Sequence, residues 1–238
     1  MKKRIFIFGL ILTIGITIAG IINIQHYNED DPESGINRSE NNRLRVINPS
    51  DVNPKLVDPS IQGVTKDHTI SEFSFQNQLG DTITKADVSG KIFVTNFFFT
   101  TCAGICPTMS NNMKQIQAEF IDDPNFLILS HTVNPSRDTV ETMYKYAGRF
   151  KADSTKWWFL TGSKKDLYLM ARKSYLIVPD KEDPDFEHGG ESDFLHTENF
   201  ALIDPDGRIR GMYDGTEQNE IDELIRDIYD LKKEYKLD

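Results

Sequence analysis

The chain has 238 residues, 38% of them hydrophobic, and a formal net charge of −10. This acidity argues against nucleic-acid binding, because the phosphate backbone repels a strongly negative protein. Two cysteines in a chain of this length also exclude a small disulfide-stapled scaffold, since a domain of this size can bury a core that is stable without them.

The N-terminus predicts a membrane anchor. Lys2, Lys3 and Arg4 precede an uncharged apolar run at residues 5–24. A helix of about 20 residues spans the hydrocarbon core of a bilayer, whereas the apolar part of a cleaved signal peptide has only about 7–15 residues. Since basic flanks stay in the cytoplasm, residues 1–25 are interpreted as a cytoplasmic stub and a transmembrane helix. We expect a single pass through the cell inner membrane, with the soluble part on the periplasmic side; a cleaved signal peptide is the alternative.

Residues 26–60 are rich in Asn, Asp, Ser and Pro and show no apolar periodicity. Such a stretch buries too little surface to offset the entropy of ordering it, so the composition predicts a flexible linker. The remaining residues, 61–238, have the length of one domain.

Apolar runs and periodicity in that domain predict strands alternating with helices. Strands are expected at residues 73–75, 82–84, 91–99, 126–133, 157–160, 200–203 and 208–213. Helices are expected from Pro107 onward and at residues 139–150, 164–174 and 217–237, with a polar loop at 179–192. The nearly continuous apolar run at 91–99 is typical of a strand covered on both faces. This order predicts an α/β, thioredoxin-like fold of three layers with a mixed central sheet.

The two cysteines follow that strand. Three residues separate Cys102 from Cys106, and Pro107 comes next. Proline suits the first helical turn, which places Cys106 at or next to the N-cap, where the helix N-terminus favours its thiolate. A thiolate is both the nucleophile of disulfide exchange and a ligand for soft metals. A purely structural disulfide is the weaker interpretation, because it would close a very short loop.

The segment FTTCAGICP at residues 99–107, after an aromatic strand, resembles the Sco/SenC family. The loop at 132–139, the segment DFLHT at 193–197 and the turn DPDG at 204–207 follow in the order of that family. The resemblance implies a membrane-anchored protein of thioredoxin fold that assists copper loading of cytochrome c oxidase. It also implies that copper is held by Cys102, Cys106 and His196. Asn134 and Leu195 depart from the family pattern, which often has Asp at both places.

Two functions from different classes fit these residues. The first is a copper metallochaperone that passes copper to the copper-bearing subunit of cytochrome c oxidase, with other periplasmic copper or thiol-redox proteins as further partners. The second is a thiol–disulfide oxidoreductase in which Cys102 and Cys106 form the catalytic pair that reduces the cysteines of the oxidase copper site; His196 is then dispensable. A peroxidase is weaker, since no arginine arrangement stands beside the cysteines. Zinc is second to copper, because a structural zinc site needs four protein ligands.

Other candidate ligands receive structural interpretations. His188 is interpreted as a loop residue, and His131 as a hydrogen-bonded structural residue within a strand. Met109 and Met113, four residues apart on the predicted helix, are interpreted as core. Asp138 is expected to brace its loop rather than to act on a substrate.

Overall fold

A mixed five-stranded sheet forms the centre of the computed structural model, which describes residues 43–52, 57–177 and 198–237. The strands are β1 Ser74–Gln76, β2 Thr82–Thr84, β3 Ile92–Phe98, β4 Phe126–Thr132, β5 Trp157–Leu160, β6 Asn199–Ile203 and β7 Ile209–Asp214. The helices are α1 Lys85–Val88, α2 Cys106–Glu119, α3 Val140–Phe150, α4 Lys164–Leu169 and α5 Gln218–Tyr235. A π-helical turn, Met170–Ser174, continues α4.

The strand order is β5-β4-β3-β6-β7, and β1 and β2 form a separate antiparallel hairpin. The strands β3, β4 and β5 are parallel, whereas β6 is antiparallel to both β3 and β7. All seven residues of β3 and of β4 are buried, as expected for strands covered on both faces. The helices α2, α3 and α5 pack on one face, and the hairpin and α4 pack on the other. The predicted three-layer arrangement with a mixed sheet is confirmed.

Residues 43–52 lie within the predicted linker but pack against the domain. Ile47 is buried and bridges Ile209 at the start of β7. The guanidinium of Arg210 donates to the carbonyl oxygens of Leu44 and Arg45 at 3.0 Å each. Few apolar residues therefore suffice to hold this segment, because a buried arginine satisfies its carbonyl groups.

Two predictions fall on residues that the structure does not describe. The predicted anchor lies in residues 1–42, and the predicted polar loop lies in residues 178–197 together with His188 and His196. Within the described ranges, no helix combines the length and the apolar character that a bilayer-spanning segment requires.

Candidate metal and thiol site

The cysteine pair lies where β3 ends and α2 begins. The backbone N–H of Cys102 donates to the carbonyl of Phe99 at 3.1 Å, which turns the chain out of the sheet. Cys106 is the first residue of α2, so Pro107 lies in the first helical turn as predicted. Both thiols are free; Cys102 is partly exposed and Cys106 is 5% exposed. One sulfur is therefore open to an incoming molecule while the other belongs to the core.

The two thiols also differ in acidity. Burial opposes ionisation of Cys102, but hydrogen bonds from the Cys106 thiol and from the amides of Gly104, Ile105 and Cys106 outweigh it and lower the pKa of Cys102. Burial raises the pKa of Cys106 to about 12, as does its hydrogen bond to Cys102, while the Phe99 amide opposes this rise. The prediction that the helix N-terminus favours the Cys106 thiolate is wrong. The local amides favour the thiolate of Cys102 instead, because Cys106 is buried too deeply to be ionised first.

Asp138 braces the cysteine loop. Its side chain is fully buried, and its carboxylate accepts hydrogen bonds from the backbone N–H of Thr100 at 3.3 Å and from the hydroxyls of Thr100 and Thr132. Thr132 ends β4, and Thr100 stands two residues before Cys102. The prediction that Asp138 braces its loop is confirmed, and the loop that it holds is the one that carries the cysteines.

The variant Asp138→Ala is expected to lose about 2–4 kcal/mol of unfolding free energy, because the buried hydroxyl of Thr132 and two partly buried donors of Thr100 lose their acceptor. Urea denaturation measures this change. Asp153→Ala is the matched control: Asp153 also accepts a backbone and a hydroxyl hydrogen bond, from Thr155, but at an exposed site. Equal losses in the two variants would contradict the bracing role of Asp138.

The chain from Glu198 onward starts at the end of the sheet that carries the cysteines. Because β6 runs antiparallel to β3, its first residue, Asn199, lies toward the end of β3 that carries the cysteines. The carbonyl of Glu198 accepts a hydrogen bond from the Gly215 amide at 2.7 Å. The carbonyl of Gly215 in turn accepts from Asn112 of α2 at 2.8 Å. Glu198 is thus connected to the helix that Cys106 begins.

The donor set in the described residues fits a soft metal in part. The two thiols affect each other's ionisation, and thiolates are the ligands that Cu(I) prefers. Among residues 43–52, 57–177 and 198–237, no group of three His, Cys, Asp or Glu side chains converges in the manner of a metal site. The third predicted ligand, His196, lies outside these ranges.

The remaining candidates have structural surroundings. Met109 and Met113 are buried in the core beneath α2, as predicted. His131 is fully buried, but neither ring nitrogen has a hydrogen-bond partner among the residues that the structure describes. The prediction of a hydrogen-bonded histidine is therefore wrong. The ring is enclosed by Phe97, stacked at 5.3 Å between centroids, and by the rings of Phe73, Phe75 and Tyr175.

Sequence reasoning missed a pair of hydroxyls beside the cysteines. Ser110 of α2 and Tyr146 of α3 are buried, and their oxygens lie 3.1 Å apart. Burial raises the pKa of Tyr146 to about 12, and charge on Cys106 and on Cys102 contributes to the rise. A serine four residues after Cys106 was the available signal, because residues four apart share a helix face.

Comparison with known proteins gives one consistent result. A family model described as SCO1/SenC matches residues 62–233. The SCO1 protein homolog of Bacillus subtilis is 31% identical over 166 residues, which cover 68% of this chain and 81% of the relative. A protein of Stutzerimonas stutzeri that carries the name of a copper-binding protein is 26% identical over 165 residues, covering 68% of this chain and 76% of the relative. The solved structure of BsSco, a member of the Sco family of cytochrome c oxidase assembly proteins with a disulfide switch, aligns with a TM-score of 0.58 at 29% identity. It covers 69% of this chain and 94% of BsSco.

Proposed function

The chain belongs to the SCO1/SenC family, and on this premise we propose that it is a membrane-anchored copper metallochaperone. It assists assembly of the copper site of cytochrome c oxidase and binds copper through Cys102, Cys106 and His196. The observation that carries the proposal is the pair of free thiols at the start of α2, one exposed and one buried, at the end of the sheet to which residue 198 returns.

Chain geometry supports His196 as the third ligand. His196 stands two residues before Glu198, so their Cα atoms can be at most about 7 Å apart. Glu198 is connected through Gly215 to α2, which Cys106 begins. We propose that this short lead brings the His196 imidazole to the two sulfurs. The resulting Cys2His set serves Cu(I) through its sulfurs and adds a nitrogen donor for Cu(II).

The two sulfurs have different tasks in transfer. Cys102 is partly exposed and has the lowered pKa, so it is the sulfur that first meets incoming copper and the first that a recipient thiolate can replace. Cys106 is buried and gives up its proton only on ligation. It therefore retains copper until the recipient supplies a second ligand. Copper passes by ligand exchange to the copper-bearing subunit of cytochrome c oxidase, and other periplasmic copper or thiol-redox proteins are further candidate partners.

The predicted anchor has a role in this proposal. Residues 5–24 are apolar and uncharged and follow three basic residues. We place them as a single pass through the inner membrane, with the copper-binding domain on the periplasmic side. Confining chaperone and oxidase to one membrane raises their effective concentration for each other without any additional contact.

The variant His196→Ala tests the proposed ligand set. We expect the full-length reduced protein to show thiolate-to-copper charge transfer with one equivalent of Cu(II) and to retain Cu(I) in equilibrium dialysis. His196→Ala should weaken copper retention by at least about tenfold and change the charge-transfer spectrum. His188→Ala, eight residues earlier in the sequence, is the matched control and should behave as wild type. Wild-type retention in His196→Ala would contradict the ligand assignment.

The unequal acidity of the thiols favours thiol–disulfide exchange as the second candidate function. A thiolate at Cys102 can attack a disulfide and release one substrate thiolate. That thiolate takes the proton of Cys106, and the sulfur of Cys106 then resolves the mixed disulfide. The variant His196→Ala separates the two functions, because exchange needs the two cysteines alone. Loss of copper with exchange intact would assign His196 to copper and the cysteines to both reactions.

A further inference from the structure

We propose that a groove on the face of the sheet opposite the cysteine helix binds a short extended segment of a partner protein that carries a lysine or an arginine. One wall of the groove consists of residues 71–75, and the other consists of α4 and the π-helical turn that follows it. Both walls pack on the face that α2 does not cover. The groove encloses about 680 Å³, a volume typical of binding pockets.

The first wall presents an unpaired strand edge at Ser74. The backbone N–H and C=O of Gln76 both bond to Thr161 at 2.8 Å, so they point away from β2. Alternate residues of a strand direct these groups to the same side, and those of Ser74 therefore face the groove rather than Thr84, their neighbour on β2. No other described residue bonds to them. Such an edge pairs readily with the backbone of another extended chain.

The groove is open because the chain that pairs with Gln76 turns into a helix. Thr161 is the paired residue, and two residues later Ser163 caps α4. At the far end the N–H of Ser71 donates to the hydroxyl of Ser174 at 3.0 Å, which closes the gap again. Ser71 and Gln76 are five residues apart. The open stretch is therefore about 16 Å long and takes about four extended residues.

The floor of the groove favours apolar side chains. Phe73 and Phe75 are buried, and their rings stack at 5.5 Å between centroids. Met170 is also buried, whereas Leu169 on the opposite wall is 39% exposed. The side chains of an added strand alternate between the two faces of the sheet. Every second residue of the bound segment would therefore pack against this floor, and the residues between would point to the rim.

The rim favours a positive charge. Glu72 and Asp166 stand on opposite walls and are both exposed. No cation among the described residues pairs with Asp166, and the Glu72 carboxylate has Lys85 at 3.4 Å. The cation in the lining, Lys173, lies 3.7 Å from Asp58 outside the groove, which offsets its charge. A lysine or arginine on the bound segment is therefore attracted by two carboxylates.

The test measures the fluorescence polarisation of a labelled peptide, Lys-Val-Lys-Val-Lys-amide, with the full-length protein in detergent at low ionic strength. We expect saturable binding. Ser74→Pro removes the donor at the strand edge and should weaken binding about tenfold, while an edge position tolerates proline. Glu72→Lys should weaken binding up to about fivefold. Glu141→Lys is the matched control, because Glu141 is also an exposed glutamate paired with a lysine, but it lies on α3.

A fully N-methylated form of the peptide gives an independent result if Ser74→Pro does not fold. It cannot donate to the Ser74 carbonyl, and a loss of about tenfold or more is again expected. Equal binding of Glu-Val-Glu-Val-Glu-amide, equal binding by wild type and folded Ser74→Pro, or no saturable binding would overturn the inference. A dimer seen in sedimentation that Ser74→Pro abolishes would assign the groove to a second copy of this chain and would also overturn it.

Discussion

At pH 5 the variant His131→Leu is expected to be more stable than the wild-type protein, and the advantage should grow as the pH falls further. Burial lowers the pKa of His131 from 6.5 to about 3 in the folded state. Below pH 6.5 the unfolded chain binds a proton at this histidine that the folded chain does not bind. The stability of the wild-type protein therefore decreases as the pH decreases. The cost is about 2 kcal/mol at pH 5 and approaches about 5 kcal/mol near pH 3. Leucine cannot bind the proton and so removes this cost.

The surroundings of His131 explain why its pKa is lowered in the folded state. Phe73 and Phe75 cover the ring from the β1 side, Phe97 stacks on it from β3, and Tyr175 closes it from the segment after α4. Tyr175 is the titratable group in contact with the ring, and burial raises its pKa, so it stays neutral. Burial is the cause of the shift at His131, and no carboxylate among the described residues contributes to it.

Urea denaturation of both proteins at pH 8, 6.5, 5 and 4 measures the effect. At pH 8 the variant should already gain about 1–3 kcal/mol, because two unpartnered ring nitrogens leave the core. A smaller pH dependence should remain from His68, whose pKa is lowered by burial while the Ser174 carbonyl opposes the shift. His68→Gln is the matched control. Parallel stability curves for wild type and His131→Leu would show that His131 does not govern the acid response.

The sequence predicts the sheet and its helices well because those elements have local causes. The apolar run of β3 and the spacing of Met109 and Met113 each require burial of a whole face. Pro107 alone predicts the start of α2, because proline suits the first turn of a helix. The four-residue helix Lys85–Val88 lacks such periodicity, and sequence reasoning passed over it.

The chemistry of single side chains depends on distant residues, so the sequence predicts it less well. The start of a helix indicates an acidic thiol at Cys106, but the core beneath α2 buries that thiol and reverses the effect. His131 is enclosed by rings from positions 73, 75, 97 and 175, and no local pattern identifies them as neighbours. The role of Asp138 was predictable because a polar loop needs an acceptor, whereas the hydroxyls that it binds were not.

The second large effect is expected for the variant Arg210→Met, which should lose about 3–5 kcal/mol of unfolding free energy. Arg210 is 3% exposed and donates to the carboxylates of Asp204 at 3.1 Å and of Glu234 at 2.9 Å. It also supplies the hydrogen bonds to the Leu44 and Arg45 carbonyls. Methionine keeps the aliphatic volume but leaves the carbonyl of buried Leu44 without this donor and leaves the buried Asp204 carboxylate to Arg208 and Tyr235 alone. A buried acceptor that loses its donor costs more than its hydrogen bond contributes.

Arg208→Met is the matched control for Arg210→Met. Arg208 binds the same Asp204 carboxylate at 2.9 Å but is 32% exposed, so water can replace it, and a loss of about 1 kcal/mol or less is expected. Urea denaturation compares the two variants. Adding Asp204→Asn to Arg210→Met should recover part of the loss, because the buried negative charge is removed with its partner. Equal losses at Arg208 and Arg210 would show that burial does not decide the strength of this network.

The variant Arg210→Met should release residues 43–52 from the domain without disturbing the cysteine site. Ile47 bridges Ile209, which pairs with Ile203, and Ile203 pairs with Phe93 near the start of β3. The cysteines follow the other end of β3, about 20 Å away along a strand of this length. Trypsin should therefore cut after Arg45 faster in Arg210→Met than in wild type, while the folded protein retains copper equally. The hydrogen-bond networks at the two ends of the sheet are separate, so we expect the ends to behave independently. A parallel loss of copper would mean instead that the end that binds residues 43–52 and the cysteine end are coupled.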